Sequence, residues 1–242
     1  AGRLGGAGGT RAGDRHQEVG HAGQPAHEFI ASSQRAGVRY TLFCRDLQQA
    51  WYLRGTPEKP RGGFDAVVAA LQAEVAVVKP ARIVTLGASM GGYAAIRAAL
   101  ALGAADEAIA FSPQVIVDST AREAAELPRM PFDELLRHLK RVLWLEGQPM
   151  TSLADVVGGA RGASTHIQVH VGGAEKGDVL EAEMLREAAE AVRGSGASSA
   201  LSVSVHVWPH RDHNVVTWLR DEGELHAILQ RSCAIVDELV AE

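Results

Sequence analysis

Apolar residues recur along this chain in two alternating rhythms, and their order predicts an architecture. Residues 83–86, Ile-Val-Thr-Leu, make a short strand-like run, and the alanine-rich stretch 90–102 after it reads as a helix. Upstream, Phe64, Val67, Val68, Leu71, Val75 and Val78 fall at helical spacing, so residues 63–78 predict an amphipathic helix with one buried stripe, ended by Pro80. Before that come a helix at 25–36, entered through Pro25, and a strand at 38–44. Three further strands are predicted at 108–111, 165–171 and 201–208, and in the second of them His166, Gln168 and His170 alternate with Ile167, Val169 and Val171. Helices follow at 181–193 and around Leu225, Ile228, Leu229, Ile235, Val236 and Leu239, with a linker of small residues at 194–199. Strand and helix in alternation predict an α/β protein, a mostly parallel sheet with helices on both faces. Residues 114–163 break the rhythm. Helical pieces at 122–127 and 131–144, parted by prolines and followed by Gly158-Gly159, predict a short helical insertion over the sheet edge.

Composition narrows the class. With 242 residues and 46% hydrophobic content, the chain suits a flexible segment at 1–18 and one globular domain at 19–242. A net charge of −5 provides no basic surface for nucleic acid, so none is expected as a partner. No apolar run approaches the length of a membrane span. Cys44 and Cys233 sit in apolar surroundings and read as buried thiols of a reducing, cytoplasmic compartment. The first 28 residues hold no apolar core of a secretion signal; without Met at its start, the chain leaves a trimmed leader open.

The chemistry starts where the 83–86 run meets Gly87-Ala88-Ser89-Met90-Gly91, a Gly-x-Ser-x-Gly turn between a predicted strand and a helix. In that context the turn strains the backbone of Ser89 and lifts its Oγ above the sheet edge. Side chains at Gly87 and Gly91 are expected to collide with neighbouring backbone. A serine hydroxyl is a poor nucleophile at neutral pH and needs a base, which in turn needs an acid to fix its tautomer. Ser89, Asp178 and His213 occur in that order, each after a predicted strand, at the edge where parallel sheets bind ligands. His210 competes with His213 for the base. Glu175 and, inside the insertion, Glu146 compete with Asp178, which could also simply cap the helix after it.

On these residues the chain resembles the α/β-hydrolase superfamily over about 19–242. More locally it resembles a compact bacterial subgroup sometimes associated with glycosyltransferase or surface-polysaccharide proteins. The closer likeness is carried by Arg45-Asp46, Trp51-Tyr52 and Gly55, by the turn through Ala95, by Ala110-Phe111-Ser112-Pro113-Gln114, and by Asp212-His213-Asn214-Val215-Val216 with Gly223-Glu224-Leu225. The resemblance implies Ser89 as nucleophile, His213 as base, Asp178 as acid and the Met90 backbone N–H as one oxyanion donor. It places the second donor near Gly20–Ala22, with His21 as the candidate. There the sequence departs from the superfamily, because Asp14 to Gly23 is too polar for the usual buried first strand.

The loop 45–55 leaves its strand at the same edge as Ser89. Trp51 and Tyr52 could line an acyl or sugar pocket with Arg54 reaching a substrate oxygen, or pack the loop onto the scaffold; Asp46 could hydrogen-bond its own loop. His166, His170, His206, His210 and His213 show no His-Glu-x-x-His spacing, so no metal site is expected. The expected activity is hydrolysis of a small-molecule ester through an acyl-enzyme, without a cofactor. Carboxylesterase is the default, and an acylated carbohydrate is the substrate that the subgroup likeness implies. A thioesterase or acyltransferase would use the same three residues, and a non-catalytic partner protein that kept the fold stays open.

Overall fold

The structure, a computed structural model, describes residues 29–160, 162–194 and 200–233. In chain order, α1 (Ile30–Arg35) and α2 (Gly63–Val78) precede β1 (Val84–Ala88), and α3 (Met90–Leu102) leads to β2 (Glu107–Phe111). Three helices, α4 (Ser119–Ala124), α5 (Asp133–Glu146) and α6 (Leu153–Gly159), lie between β2 and β3 (His166–Gly172). Then come α7 (Lys176–Gly194), β4 (Ser202–Trp208), α8 (Val215–Asp221) and α9 (Glu224–Cys233).

Among the described residues all strand pairs are parallel, in the spatial order β1-β2-β3-β4. Parallel strands that are neighbours in both sequence and space are joined by crossovers of one hand, which all fall on one face. The opposite face then needs a separate cover. Alternation along β2 and β3 shows both covers. Ala108, Ala110, Ile167, Val169 and Val171 pack in one core with Tyr93, Ile96 and Ala99 of α3, Leu153 and Val157 of α6, and Ala182, Leu185 and Ala189 of α7. Ile109 and Phe111 point the other way, into a second core with Phe29, Val215, Val216 and Leu219 of α8, and Leu225, Ile228 and Leu229 of α9. Each of these large apolar side chains contributes about 2 kcal/mol by leaving water. On α3, buried Ala95, Ala98 and Ala99 allow close approach, and Thr85 Oγ1 donates to Ala95 O at 2.9 Å.

The excursion between β2 and β3 contains a helix that its sequence hides. Helix α6 packs between α3 and α7 in the crossover layer, so it is the β2–β3 crossover itself; α4 and α5 are the additional pieces. Its start is set by Ser152, whose hydroxyl accepts from Asp155 N–H, and by Leu153 N–H donating to Val115 O at 2.7 Å. Helix α5 buries Leu136, Leu139 and Leu143, one stripe at helical spacing.

Other expectations shift. Residues 38–44 form no strand: Tyr40 is 62% and Leu42 56% exposed, and no strand among the described residues pairs with them. A β-prone run without a hydrogen-bonding neighbour does not hold a ladder. For the same reason Cys44 is exposed, against the buried thiol expected of it, and Cys233 is half-buried. Helix α7 begins at Lys176, five residues before its expected start, whereas α9 lies where a helix was expected around Leu225, Ile228 and Leu229, parted from α8 at Gly223 (φ 81°). The segment 1–18, the first residues of the helix expected at 25–36, most of the 194–199 linker and Ile235, Val236 and Leu239 lie outside the described residues. Among the described residues no helix is long and apolar enough to cross a membrane.

Candidate active site

Strand β1 delivers Ser89 to the carboxyl edge of the sheet, and α3 begins at the next residue. Ser89 adopts φ 51° and ψ −120°, a conformation that L-residues rarely hold. Its N–H donates to Phe111 O at 2.7 Å and its carbonyl accepts from Tyr93 N–H at 3.1 Å, so strand and helix are joined without a spacer. The turn can be this tight because Gly87 has no side chain: a Cβ there would lie 2.1 Å from Gly91 O. Gly91 itself does not fit the expectation of a clash. A Cβ on it would meet nothing within 4 Å, while one on Gly92 would sit 3.2 Å from Pro113 Cβ and 3.3 Å from Gly87 O. The close approaches are therefore made at Gly87 and Gly92.

Asp178 and His213 arrive from β3 and β4. Asp178 lies in the first turn of α7, buried, and its Oδ2 is 2.8 Å from His213 Nδ1. On the far side of the imidazole, His213 Nε2 is 3.0 Å from Ser89 Oγ. The His213 loop is tied down by backbone. Gly173 N–H donates to Trp208 O and Ala174 N–H to Arg211 O, both at 2.8 Å. A Cβ on Gly172 would lie 2.1 Å from Asp212 O, so the loop crosses directly over the end of β3. Helix α7 is fixed one turn further on, where buried Glu181 accepts from Val115 N–H at 2.6 Å, Ile116 N–H at 2.9 Å and the Arg122 guanidinium. Burial of His213 pulls its pKa down, but the Asp178 hydrogen bond and charge, with Glu175 and Glu181 behind them, outweigh burial and leave it raised. His210 stands apart on an exposed turn with φ 60°. Glu175 reaches His213 through its charge and not through a hydrogen bond. Glu146 is held by Arg54.

One contact to Ser89 is absent from the sequence-level expectations. Gln114, buried just past the end of β2, donates from Nε2 to Ser89 Oγ at 2.8 Å, and its Oε1 accepts from Trp51 Nε1 at 3.0 Å. The signal available in sequence was a polar residue three positions after a strand end at the site edge; its meeting with Trp51, 63 residues away, had none. Trp51 is buried, with its ring edge-on to Phe132, and Phe132 lies 6.2 Å from the His213 ring. Tyr52 OH donates to Cys44 O at 3.1 Å. Arg54 forms a two-pronged pair with Glu146, its Nε 2.9 Å from Oε2. Asp46 organises the loop between them by accepting from the N–H groups of Gln48, Ala50 and Tyr52.

Ser89 is half-buried and the His213 side chain 31% exposed, so the line of three groups opens to solvent. A hydroxyl, an imidazole and a carboxylate so arranged can move a proton from oxygen to nitrogen while the carboxylate steadies the imidazolium. Because the first bond within α3 is that of Tyr93 N–H, the N–H groups of Met90, Gly91 and Gly92 have no acceptor within the helix. They make up the positive end of the helix dipole. His21 lies outside the described residues. Among the described residues no cluster of three or more His, Cys, Asp or Glu is placed to hold a metal. A cleft of about 480 Å³ between α2, α3 and α6, lined by Phe64, Gln72, Arg97 and Val156 among others, includes none of these site residues.

No protein-family profile matches the chain, and neither does any curated protein sequence. Among solved structures it is similar to an esterase from the bacterial hormone-sensitive lipase family, with 19% identity over 74% of this chain and a TM-score of 0.50. The chain spans 62% of that esterase's length. It is also similar to an S-formylglutathione hydrolase from Agrobacterium tumefaciens (18% identity, 84% of this chain and 77% of that one, TM-score 0.49). A third is the glycosylation-associated protein (Gap123) complex from Streptococcus agalactiae (14% identity, 75% of this chain and 34% of that one, TM-score 0.43). Together with the parallel sheet and its two helical layers, the esterase likeness establishes the fold: the chain has the α/β-hydrolase fold.

Proposed function

We propose that this protein is a serine hydrolase that cleaves an ester-type acyl bond through an acyl-enzyme, as a carboxylesterase. The observation that carries the reading is the hydrogen-bonded line Asp178–His213–Ser89, with spans of 2.8 and 3.0 Å, ending on a half-buried serine in a strained turn. Ser89 is the nucleophile, His213 the general base and Asp178 the acid that holds the imidazole. The Ser89 proton passes to His213 Nε2 as Oγ bonds the acyl carbon, and the carbonyl pair moves onto its oxygen. Met90 N–H, at the start of α3, is the oxyanion donor. His213 then gives its proton to the leaving alcohol, and water repeats the sequence on the acyl-enzyme. No step calls for a cofactor.

The openness of Ser89 and His213 to solvent suits a short acyl group on a water-exposed alcohol better than a long chain that must be drawn from water. Acylated carbohydrates belong to that class. The test is labelling with a fluorophosphonate probe, followed by a series of esters graded by acyl length. Labelling of the wild type and its loss in Ser89→Ala and His213→Ala is the expected result. A folded wild type that never labels would overturn the reading.

A further inference from the structure

The geometry points to Gln114 as a further catalytic residue, a hydrogen-bond donor to the Ser89 oxygen whose direction is locked by Trp51. This rests on Ser89 being the nucleophile. The direction follows from the inventory of donors. An indole nitrogen only donates, so the Gln114 side-chain oxygen must face Trp51 Nε1, 3.0 Å away. The amide nitrogen then faces Ser89 Oγ at 2.8 Å and can only donate. Ser89 Oγ is the acceptor in that bond, which leaves its single proton for His213 Nε2 at 3.0 Å. His213 in turn presents Nδ1–H to Asp178, an acceptor. Every bond from Trp51 to Asp178 runs in one direction, and the two ends fix it.

A second observation marks the arrangement as costly. The loop that carries Trp51 holds three non-glycine residues in the left-handed region: Gln49 (φ 51°), Trp51 (φ 51°) and Tyr52 (φ 59°). It is kept there by the three N–H groups that converge on the Asp46 carboxylate. The strained loop delivers a buried indole whose N–H meets Gln114 Oε1, and Gln114 is itself buried, its Nε2 having besides Ser89 only a long 3.4 Å contact to Ser112 O among the described residues.

In the reaction Gln114 transfers no proton. As Ser89 gives its proton to His213 and negative charge gathers on Oγ, the bond from Gln114 becomes charge-assisted and roughly doubles in strength. A contact stronger in the transition state than in the resting enzyme accelerates the chemical step and leaves substrate affinity alone.

The experiment measures fluorophosphonate labelling and hydrolysis of p-nitrophenyl acetate by the wild type, Gln114→Leu, Trp51→Phe and the double variant. In Gln114→Leu the maximal rate constant should fall about 100-fold with the half-saturating concentration unchanged. Trp51→Phe, which frees the amide to rotate, should fall by less, about 10-fold. Gln114→Leu also strands a buried indole N–H, and the double variant removes that defect, so its thermal stability should return towards wild type. Its rate should stay as low as that of Gln114→Leu. A double variant that recovers the wild-type rate, or a Gln114→Leu protein that labels normally, would show that Gln114 only packs. A wild type that does not label would instead sink the serine-hydrolase reading beneath it.

Discussion

Ser89 and Ser112 stand at the carboxyl ends of adjacent parallel strands, with φ of 51° and 43°. Each passes its N–H across the sheet, Ser89 to Phe111 O and Ser112 to His170 O. There the likeness ends. Ser89 is half-buried, and its oxygen meets His213 and Gln114. Ser112 is 1% exposed, and its hydroxyl has no hydrogen-bond partner among the described residues. The left-handed turn is thus a way for a chain to leave this sheet edge, used twice. After Ser89 it starts a helix; after Ser112 it turns Pro113-Gln114 back towards the site. Strain alone does not single out a nucleophile, whereas access and partners do.

The comparison breaks most sharply by removing the two hydroxyls one at a time. Ser89→Ala should lower ester hydrolysis and probe labelling by roughly 10⁴-fold or more. Ser112→Ala should leave both near wild type. Steady-state kinetics on the two variants decide it; equal losses would mean that the assignment of chemistry to β1 is wrong.

Asp178→Asn comes next. With its Nδ1 partner no longer an anion, the imidazole loses both its tautomer lock and the charge that raises its pKa, and turnover should drop by roughly 10³–10⁴-fold. The pH profile carries the sharper information. His213 must be neutral to act as base, so the rate should rise through a midpoint above 6.5, the side to which Asp178 moves it against the pull of burial. In the residual activity of Asp178→Asn that midpoint should move down. The same pairing affects folding with the opposite sense. A raised folded-state pKa contributes stability that is complete below pH 6.5 and is lost as pH rises through the folded value.

Much of this site was legible in the chain. Ser89, Asp178 and His213 follow strands in an order that a parallel sheet brings to one edge, and in residues 165–171 the alternating Ile167, Val169 and Val171 share one core. The missed parts depend on contacts distant in sequence or on a missing neighbour. Gln114 is oriented by Trp51, and Arg54 is taken up by Glu146, 92 residues on. Residues 38–44 have the composition of a strand, and composition does not provide a partner. Helix α6 is short and ends in two glycines, so its propensity is weak, and packing between α3 and α7 makes it.

The two glycines of the Ser89 turn separate in the same way. Gly87→Ala would push a methyl group into Gly91 O at 2.1 Å, backbone that cannot yield without moving the start of α3. It should destabilise by about 3 kcal/mol and take activity with it. Gly91→Ala enters open space inside a helix and should be neutral or stabilising by about 0.5 kcal/mol. Denaturant midpoints for the pair measure this; two equally harmful substitutions would contradict the geometry of the turn.

The last of these effects returns to Ser112. Its oxygen is sealed from water and donates to nothing among the described residues, so the hydroxyl carries a desolvation penalty without return. Alanine keeps the same carbon skeleton up to Cβ and the same difficulty with φ 43°, which isolates the hydroxyl from the backbone strain. Deleting it should therefore stabilise the protein, by about 1 kcal/mol, read as a rise in Tm of about 3 °C. Ser112→Gly would relieve the strain as well, but adds freedom to the unfolded chain, so its net gain should be no larger. If Ser112→Ala instead lowers Tm, the hydroxyl has a partner such as a buried water, and the contrast between the two serines narrows to Ser89's access to solvent and to His213.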